Sequence, residues 1–382
     1  MNIQENRKIE NNKKNKILIN SIEINKNEWK KSTLKKNKRI EYFNWLRILC
    51  CFSVIVIHVS AQNWYSSPII SHEWKIFNIY DSTVRFGVPV FFMISGAIFL
   101  ERDISFGIML NKYIKRIYIK LLFWSFFYSL RAKIIHKNNY KKSFLIFLKG
   151  YFHLWYLFRI CGLYLITPFL KQITKSEKLF KIFLVLNILF CILIPNLLEI
   201  IFCNLKGYYN TFNGIISKFG LNGFLNCEQL YYILGFYLNQ YNIKPLLRIM
   251  IYILGFFGTA FTSQMTYYIS FKKNKKIDFY SYSYINIFFN SIGIFIFFKY
   301  NTNNLKYRKN IKDFIQNLAL LTFGIYIIHP FVIEELDIRF KINTLSFEPL
   351  YSVPINSLIT FLISLILVYI IKLIPFINLY IL

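Results

Sequence analysis

The stretch YFNWLRILCCFSVIVIHVS, residues 42–60, decides the fold of this chain. It is about as long as the ~20 mostly apolar residues with which a helix crosses the hydrocarbon core of a bilayer. Two ionisable side chains, Arg47 and His58, interrupt the apolar run. We expect this helix to span the membrane, and because such groups are costly in lipid, the two side chains are functional candidates.

Nine more apolar runs follow along the chain. Together with the first, they cover residues 43–62, 84–100, 117–134, 151–170, 179–201, 222–241, 246–268, 281–299, 314–333 and 354–377. The run 222–241 is the weakest, because Asn222, Asn226 and Glu228 crowd its first turns. The pattern predicts an all-α fold, a polytopic membrane helix bundle of about ten transmembrane helices. Short connections make successive helices antiparallel neighbours.

The composition excludes a soluble globular domain and argues against a nucleic-acid partner. Hydrophobic residues make up 55% of the 382 residues, whereas soluble domains contain about 45–50%. Against this apolar background, we expect part of the net charge of +29 to face anionic headgroups of the lipid bilayer. No Cys or His spacing is typical of a metal site, so no metal is expected.

The first 40 residues differ from the rest because they are polar and rich in Lys and Asn. We expect residues 1–40 to form a disordered basic cytoplasmic tail and residues 41–382 to form the transmembrane domain. Twelve Lys and Arg residues precede residue 43 and favour a cytoplasmic N-terminus. An even number of helices then returns the C-terminus to the cytoplasm, as in a multi-pass protein of the cell membrane.

Arg47 and His58 share one face of the first helix. They are eleven residues apart, which returns the helix to within ~20° and separates the two by ~16 Å along the axis. With a cytoplasmic N-terminus, Arg47 lies near the inner mouth and His58 lies deep in the membrane, where an ionisable residue is a functional candidate. In the alternative interpretation, Arg47 reaches the headgroups and His58 satisfies a hydrogen bond between helices.

The second run contains RFGVPVFFMISG, residues 85–96. It predicts Arg85 at the entrance of a helix, with Ser95 and Gly96 in mid-membrane. Small residues let helices approach closely, and a Ser hydroxyl can form a hydrogen bond across the gap. A packing seam without catalytic function remains an alternative for this segment.

Together these two segments resemble the acyltransferase-3 family of integral-membrane O-acyltransferases, which modify surface polysaccharides and related sugars. Two later motifs agree in type and order. The fourth predicted helix contains His153-Leu-Trp155-Tyr-Leu followed by Leu163-Tyr-Leu-Ile-Thr-Pro168, and the ninth contains Gly324-Ile-Tyr-Ile-Ile-His329-Pro. The resemblance extends over residues 41 to 333 and is weakest over 171–313.

The sequence departs from the family pattern at three places, one of which is Arg159 in the fourth run, where the family tends to be apolar. Asn44 stands where the family usually has Asp. In the loop after the second helix, Lys112-Tyr-Ile-Lys115-Arg116 replaces most of an Arg-x-x-Arg motif, and Lys120 occupies the position of a following Pro. A basic cluster remains, although the inference of a CoA site is weaker for it.

The resemblance implies transfer of an acetyl or similar acyl group from cytoplasmic acyl-CoA to a hydroxyl of an extracytoplasmic or lipid-linked glycan. Acetyl-CoA is then the acyl-donor substrate, and no cofactor stays permanently bound. His58 acts either as general base or as acyl carrier. The implied site residues are catalytic His58 and Arg47, CoA-binding Arg47, Lys115 and Arg116, and substrate-binding Arg85, Ser95, His153, Trp155 and His329. Among the last group, Ser95 or Arg85 stabilises the developing oxyanion, and His153, Trp155 and His329 belong to the acceptor site.

Other interpretations remain open. A secondary transporter or another non-catalytic polytopic protein also places charges within the membrane, although the paired broken helices and repeated halves of many transporters are not visible in the sequence. A heparan-type N-acetyltransferase accepts an amine instead of a hydroxyl. His153 and His329 also suit hydrogen bonding at the membrane interface, and Arg159 within the fourth run requires a carboxylate or carbonyl partner.

Overall fold

The structure, a computed structural model, describes residues 41–135, 139–201, 225–302 and 308–374 and positions 211, 214, 215, 218 and 220. These described residues form one compact unit. The described residues are mostly helical and contain no β-strand. The prediction of a disordered tail at residues 1–40 lies outside them.

Thirteen helices are numbered here in chain order. They are α1 Glu41–Ala61, α2 His72–Val84, α3 Gly87–Phe99, α4 Lys115–Ile135, α5 Tyr140–Lys149, α6 Trp155–Thr174, α7 Glu177–Ile188, α8 Ile194–Ile201, α9 Cys227–Gln240, α10 Pro245–Lys272, α11 Ile285–Asn301, α12 Lys309–Phe340 and α13 Pro349–Leu373. Short helical turns connect some of them: Phe106–Ile108 and Met109–Ile114 precede α4, Phe152–Leu154 precedes α6, and Leu189–Leu193 joins α7 to α8.

Seven segments of the described chain are long and apolar enough to cross a membrane. They are α1, α2 with α3, α5 with α6, α7 with α8, α10, α12 and α13. The other three predicted runs are also helical, in α4, α9 and α11. However, α4 carries five Lys and Arg residues, and α9 and α11 have only 14 and 17 residues. The helical membrane bundle is thus supported, whereas the count of ten is not confirmed.

The first helix lies inside this bundle. It packs against α2, α3, α12 and α13, and Leu46, Cys50 and Ile55 on it have no exposed surface. By contrast, α10 exposes long apolar side chains such as Leu246 and Phe256. An apolar surface of this kind is unfavourable in water and favourable in lipid. The helix that carries Arg47 and His58 therefore lies on the inner side of the lipid-facing helices, and both side chains are half-buried.

The second predicted run begins earlier than its hydropathy indicated. The helical segment begins at His72, with a break at Arg85 and Phe86 between α2 and α3. Pro89 explains the break, because proline lacks the N–H that would bond to the carbonyl of Arg85 and its ring clashes with that carbonyl. Arg85 therefore lies at an interruption within the segment, two residues before α3 begins.

The helices α3 and α9 touch through their backbones. A Cβ atom added to Gly96 would lie 1.7 Å from the carbonyl oxygen of Tyr232, and one added to Gly235 would lie 2.0 Å from that of Met93. Only residues without a Cβ permit so close an approach. Gly96 therefore has a packing role, which was the alternative interpretation of the Ser95–Gly96 pair.

Candidate active site

Three histidines from separate parts of the chain meet at one place. His58 comes from α1, His153 from the turn before α6, and His329 from α12. The rings of His58 and His329 are stacked with centroids 5.2 Å apart. The centroids of the His153 and His329 rings lie 5.6 Å apart, in an edge-on arrangement. The structure thus brings together three of the residues that sequence analysis selected, and we call them the histidine cluster.

Pro330 determines which nitrogen of His329 carries the proton. Because proline has no N–H, the carbonyl of Tyr326 lacks its usual donor four residues later in α12. The Nδ1 of His329 lies 2.6 Å from this carbonyl oxygen. Since a carbonyl only accepts hydrogen bonds, Nδ1 must be the protonated nitrogen, and Nε2 of the neutral ring bears the lone pair.

The same reasoning assigns the proton on His153. Its Nε2 lies 3.2 Å from the carbonyl oxygen of Ile327, so Nε2 donates and Nδ1 bears the lone pair. Tyr128 donates its hydroxyl to the same carbonyl at 2.7 Å. Tyr326 donates its hydroxyl to the backbone carbonyl of His153. The Tyr326 hydroxyl therefore fixes the turn that carries His153, while Tyr128 and His153 share the carbonyl of Ile327 in α12 as an acceptor.

The two lone pairs of the histidine cluster are buried and unsatisfied. Neither Nδ1 of His153 nor Nε2 of His329 has a hydrogen-bond partner among the described residues. A buried polar atom without a partner typically costs about 1–3 kcal/mol. Two such acceptors next to His58 are suited to receive hydrogen bonds from a ligand that carries hydroxyl groups.

Arg85 is held beside this cluster by a carboxylate. Its Nη2 lies 2.5 Å from Oδ2 of the buried Asp81, one turn earlier in α2. Its guanidinium carbon lies 4.1 Å from the centroid of the Tyr280 ring, and His58 is within the range of its charge. The Nε of Arg85 is buried and has no partner in the described part of the chain. One N–H of a fixed cation thus remains available for an anionic or partly charged oxygen.

Arg47 and Ser95 lie nearer to the other end of α1. The hydroxyl of Ser95 donates to the carbonyl of Phe91 at 3.0 Å and also interacts with Tyr156 and Tyr164. Both tyrosines are within electrostatic range of Arg47. Arg47 and Ser95 therefore share a tyrosine-lined region, which is connected to the histidine cluster through the ring contact of Tyr156 with Tyr326.

Trp155 and Arg159 follow His153 in α6. The Trp155 ring stacks on Tyr282 with centroids 6.0 Å apart, which leaves it half-buried. Arg159 Nε lies 3.3 Å from Oε1 of Glu228 in α9. Glu228 supplies the carboxylate partner that Arg159 required. The ion pair lets α6 and α9 each carry a charged residue, because each charge is balanced by the other.

Lys115 and Arg116 are not part of the histidine cluster. Both are exposed at the beginning of α4. No carboxylate in the described ranges forms an ion pair with either one. Two neighbouring exposed cations at a helix end can bind a mobile anion without first breaking an internal pair.

The position of His329 along its helix differs from the prediction. His58 lies in the last turn of α1, which ends at Ala61. α12 continues to Phe340, so His329 lies within this helix and not at its outer end. The extra turns of α12 carry Glu334 and Glu335, and sequence hydropathy does not reveal that both pair with Arg131 of α4.

Sequence analysis missed several residues that position the histidines and Arg85. Asp81 has the spacing of four residues that pairs charges on a helix, but the helix was predicted to begin after it. Tyr326 was quoted within a motif without a function. Tyr128, Tyr280 and Tyr282 lie in segments whose sequence contains no distinguishing pattern. Their contacts arise from tertiary packing.

Comparison with known proteins agrees with the helical bundle and its motifs. The family model for the acyltransferase-3 domain, described as an acyltransferase domain, matches residues 40–373. No curated protein and no solved structure matches the chain. The matched range includes the histidine cluster and all thirteen helices from α1 to α13. The chain therefore belongs to the acyltransferase-3 family, as its motifs predicted.

Proposed function

We propose that this acyltransferase moves an acetyl or similar acyl group from cytoplasmic acyl-CoA to a hydroxyl of an extracytoplasmic or lipid-linked glycan. The observation that carries the proposal is the histidine cluster, in which two buried imidazole lone pairs lack donors beside His58. Sugar hydroxyls are donors of the required kind, because each carries one O–H group. The proposed location is the cell membrane, with several helices crossing it and both termini in the cytoplasm.

In the proposed reaction His58 is the general base. The acceptor hydroxyl gives its proton to the His58 imidazole while its oxygen attacks the carbonyl carbon of the thioester. The carbon–sulfur bond then breaks, and the imidazolium returns the proton to the departing sulfur. CoA leaves as a thiol, the acceptor becomes an ester, and His58 is neutral again.

Arg85 is the proposed stabiliser of the charge that develops on the thioester oxygen. Its pair with Asp81 fixes the guanidinium, and its unpartnered Nε–H can donate to that oxygen. A fixed donor of this type favours the transition state over the ground state, because it needs no reorganisation during the reaction. Ser95 interacts with two tyrosines that are also within electrostatic range of Arg47, so we assign it to the path of the acyl donor.

His153, His329 and Trp155 form the proposed acceptor site. The free nitrogens of His153 and His329 accept hydrogen bonds from sugar hydroxyls, and the half-buried Trp155 ring offers a face on which a sugar can stack. The position of His58 in the last turn of α1 supports this assignment. With the N-terminus in the cytoplasm, that turn is on the side where an extracytoplasmic glycan arrives.

Labelled acetyl-CoA tests the proposed reaction directly. The purified full-length protein is reconstituted in liposomes, acetyl-labelled CoA is supplied on one face, and label is measured in thioester, free acetate and added oligosaccharide. Loss of thioester that depends on the protein, with label in an ester, supports acyl transfer. Movement of intact acetyl-CoA across the membrane would instead indicate a transporter, and label in an amide would indicate an amine acceptor.

Replacing Lys115 and Arg116 together by Ala should weaken the binding of acetyl-CoA without slowing the chemistry. Both cations are exposed, and the proposal assigns them to the phosphates of CoA. Loss of contacts made equally in the ground and transition states raises KM and leaves kcat nearly unchanged. We expect KM for acetyl-CoA to rise about tenfold, as measured by initial rates in liposomes.

The matched control for this variant replaces Lys141 and Lys142 by Ala. These two lysines are also exposed and also adjacent, at the beginning of α5. The control removes the same charge from another part of the surface and should leave KM unchanged. A fall in kcat alone for the Lys115 and Arg116 variant would contradict the assignment.

A further inference from the structure

Lys120 is a buried cation for which the described part of the protein supplies no anion. It lies in α4, one turn after Arg116, and its side chain is directed inward, with an exposed fraction of 3%. Its Nζ lies 4.9 Å from the centroid of the Phe323 ring in α12. None of the described carboxylates, carbonyls or hydroxyls accepts a hydrogen bond from it, although an ammonium group has three donors.

This arrangement is unfavourable without a ligand. Lysine is almost never fully buried unless it is paired, and contact with an aromatic face replaces only part of the lost hydration. Arg116 is close enough to add repulsion between like charges. Lys120 is therefore a buried cation next to the exposed Arg116, and an anion bound between them would compensate both charges.

The spacing indicates what kind of anion fits. Residues four apart on a helix lie on one face, about 6 Å apart along the axis. Arg116 therefore presents a planar guanidinium with several N–H donors, and Lys120 presents a compact ammonium one helical turn further along α4. Two linked phosphoryl groups match two such cations better than a single carboxylate, because each phosphoryl group can bind one cation.

The depth of Lys120 places such an anion below the histidine cluster. Cys51 of α1 lies 3.4 Å from the carbonyl oxygen of Thr322, the residue before Phe323. Lys120 is therefore level with Cys51, about one turn deeper than Arg47. From that level His58 is seven residues further along α1, or ~10 Å. A ligand anchored at Lys120 can thus extend a flexible arm to the histidine cluster.

We propose that Arg116 and Lys120 form a diphosphate-binding site between α4 and α12, a binding role not yet assigned to Lys120. The inference rests on the proposed function, in which two substrates can carry a diphosphate. One is the nucleotide part of acyl-CoA, and the other is the headgroup of a lipid-linked sugar. The shared chemistry is the diphosphate, and the experiment separates the two sources.

The test measures binding to the full-length protein in nanodiscs of zwitterionic lipid, with three probes. CoA carries the nucleotide diphosphate, farnesyl diphosphate carries a lipid diphosphate, and S-acetylpantetheine carries neither. We expect Lys120→Met to weaken CoA binding about 10- to 100-fold and to leave S-acetylpantetheine binding unchanged. Lys120→Arg keeps the charge and should stay within a few-fold of wild type.

The stability of the ligand-free protein gives a second measurement. Removal of an unpaired buried charge should raise the melting temperature, so Lys120→Met should be more stable than wild type without ligand. Lys299→Met is the matched control, because Lys299 donates to the carbonyls of Leu238 at 2.6 Å and Tyr241 at 2.8 Å. The control should melt at a lower temperature and bind all three probes normally.

Each outcome decides between the alternatives. Weaker binding of farnesyl diphosphate with normal binding of CoA supports the site and assigns it to the lipid-linked acceptor. Unchanged affinity of Lys120→Met for both diphosphates, with a lower melting temperature, overturns the proposal and indicates a structural contact. Because binding needs no turnover, a protein that binds CoA through Lys120 but transfers no acyl group refutes only the proposed reaction.

Discussion

His58→Gln is expected to abolish acyl transfer in a protein that still folds and inserts into the membrane. Glutamine keeps a hydrogen-bonding group of similar reach, but it cannot take up a proton. General acid–base catalysis typically contributes ~10²–10⁴-fold to a rate, so transfer should fall by at least that factor. His58→Ala should be equally inactive. Initial rates with labelled acetyl-CoA in liposomes measure the loss, and thermal melting confirms the fold.

His72→Gln is the matched control for this experiment. His72 is exposed at the beginning of α2, where its Nε2 lies 3.0 Å from Oε1 of Glu348. The same substitution at this distant site should leave the transfer rate near that of wild type. If His58→Gln retained normal turnover, His58 would be a structural residue. The base would then be His329 or His153, whose unpartnered nitrogens are the next candidates.

Substitution of the glycines between α3 and α9 should have the largest effect on stability. In Gly96→Ala the new Cβ would lie 1.7 Å from a backbone oxygen of Tyr232. A backbone atom cannot rotate away as a side chain does, so the two helices must separate and lose their contact. We expect a cost of about 3 kcal/mol or more, seen as a much lower melting temperature in detergent. Gly235→Ala should behave in the same way.

Gly162→Ala is the control for these two variants. Gly162 lies in α6, and an added Cβ would meet no atom within 4 Å. Alanine is also the better helix former by about 0.5–1 kcal/mol. This variant should therefore melt at or slightly above the temperature of wild type. Equal melting of Gly96→Ala and Gly162→Ala would show that the close contact is not needed.

Much of the fold was predictable because apolar length is a local property. The runs at 43–62 and 179–201 correspond closely to α1 and to α7 with α8. The prediction was wrong about the beginning of the second helix, where polar residues are satisfied by distant partners. Asn78, for example, donates to the carbonyl of Ser263 at 2.8 Å, from a helix nearly two hundred residues later. A hydropathy reading cannot detect such compensation.

The candidate site was predictable in its residue types more than in its geometry. The motifs selected His58, His153 and His329, and the structure brings their rings together. The motifs did not reveal that a proline leaves the carbonyl of Tyr326 free and so fixes the tautomer of His329. They also gave no role to Lys120, because burial without a partner becomes visible only when α12 lies beside α4.

The short helix α9 has a consequence for how the protein is made. Its 14 residues extend over only ~21 Å, and Glu228 and Gln229 lie in its first turn. A segment this short and polar is not expected to insert into the lipid bilayer as an isolated helix. It needs α3 as a partner, and α3 is synthesised long before it. The surface of α3 around Gly96 must therefore stay free of other helices until α9 has been synthesised. The contact between α3 and α9 accordingly forms late in the assembly of the bundle.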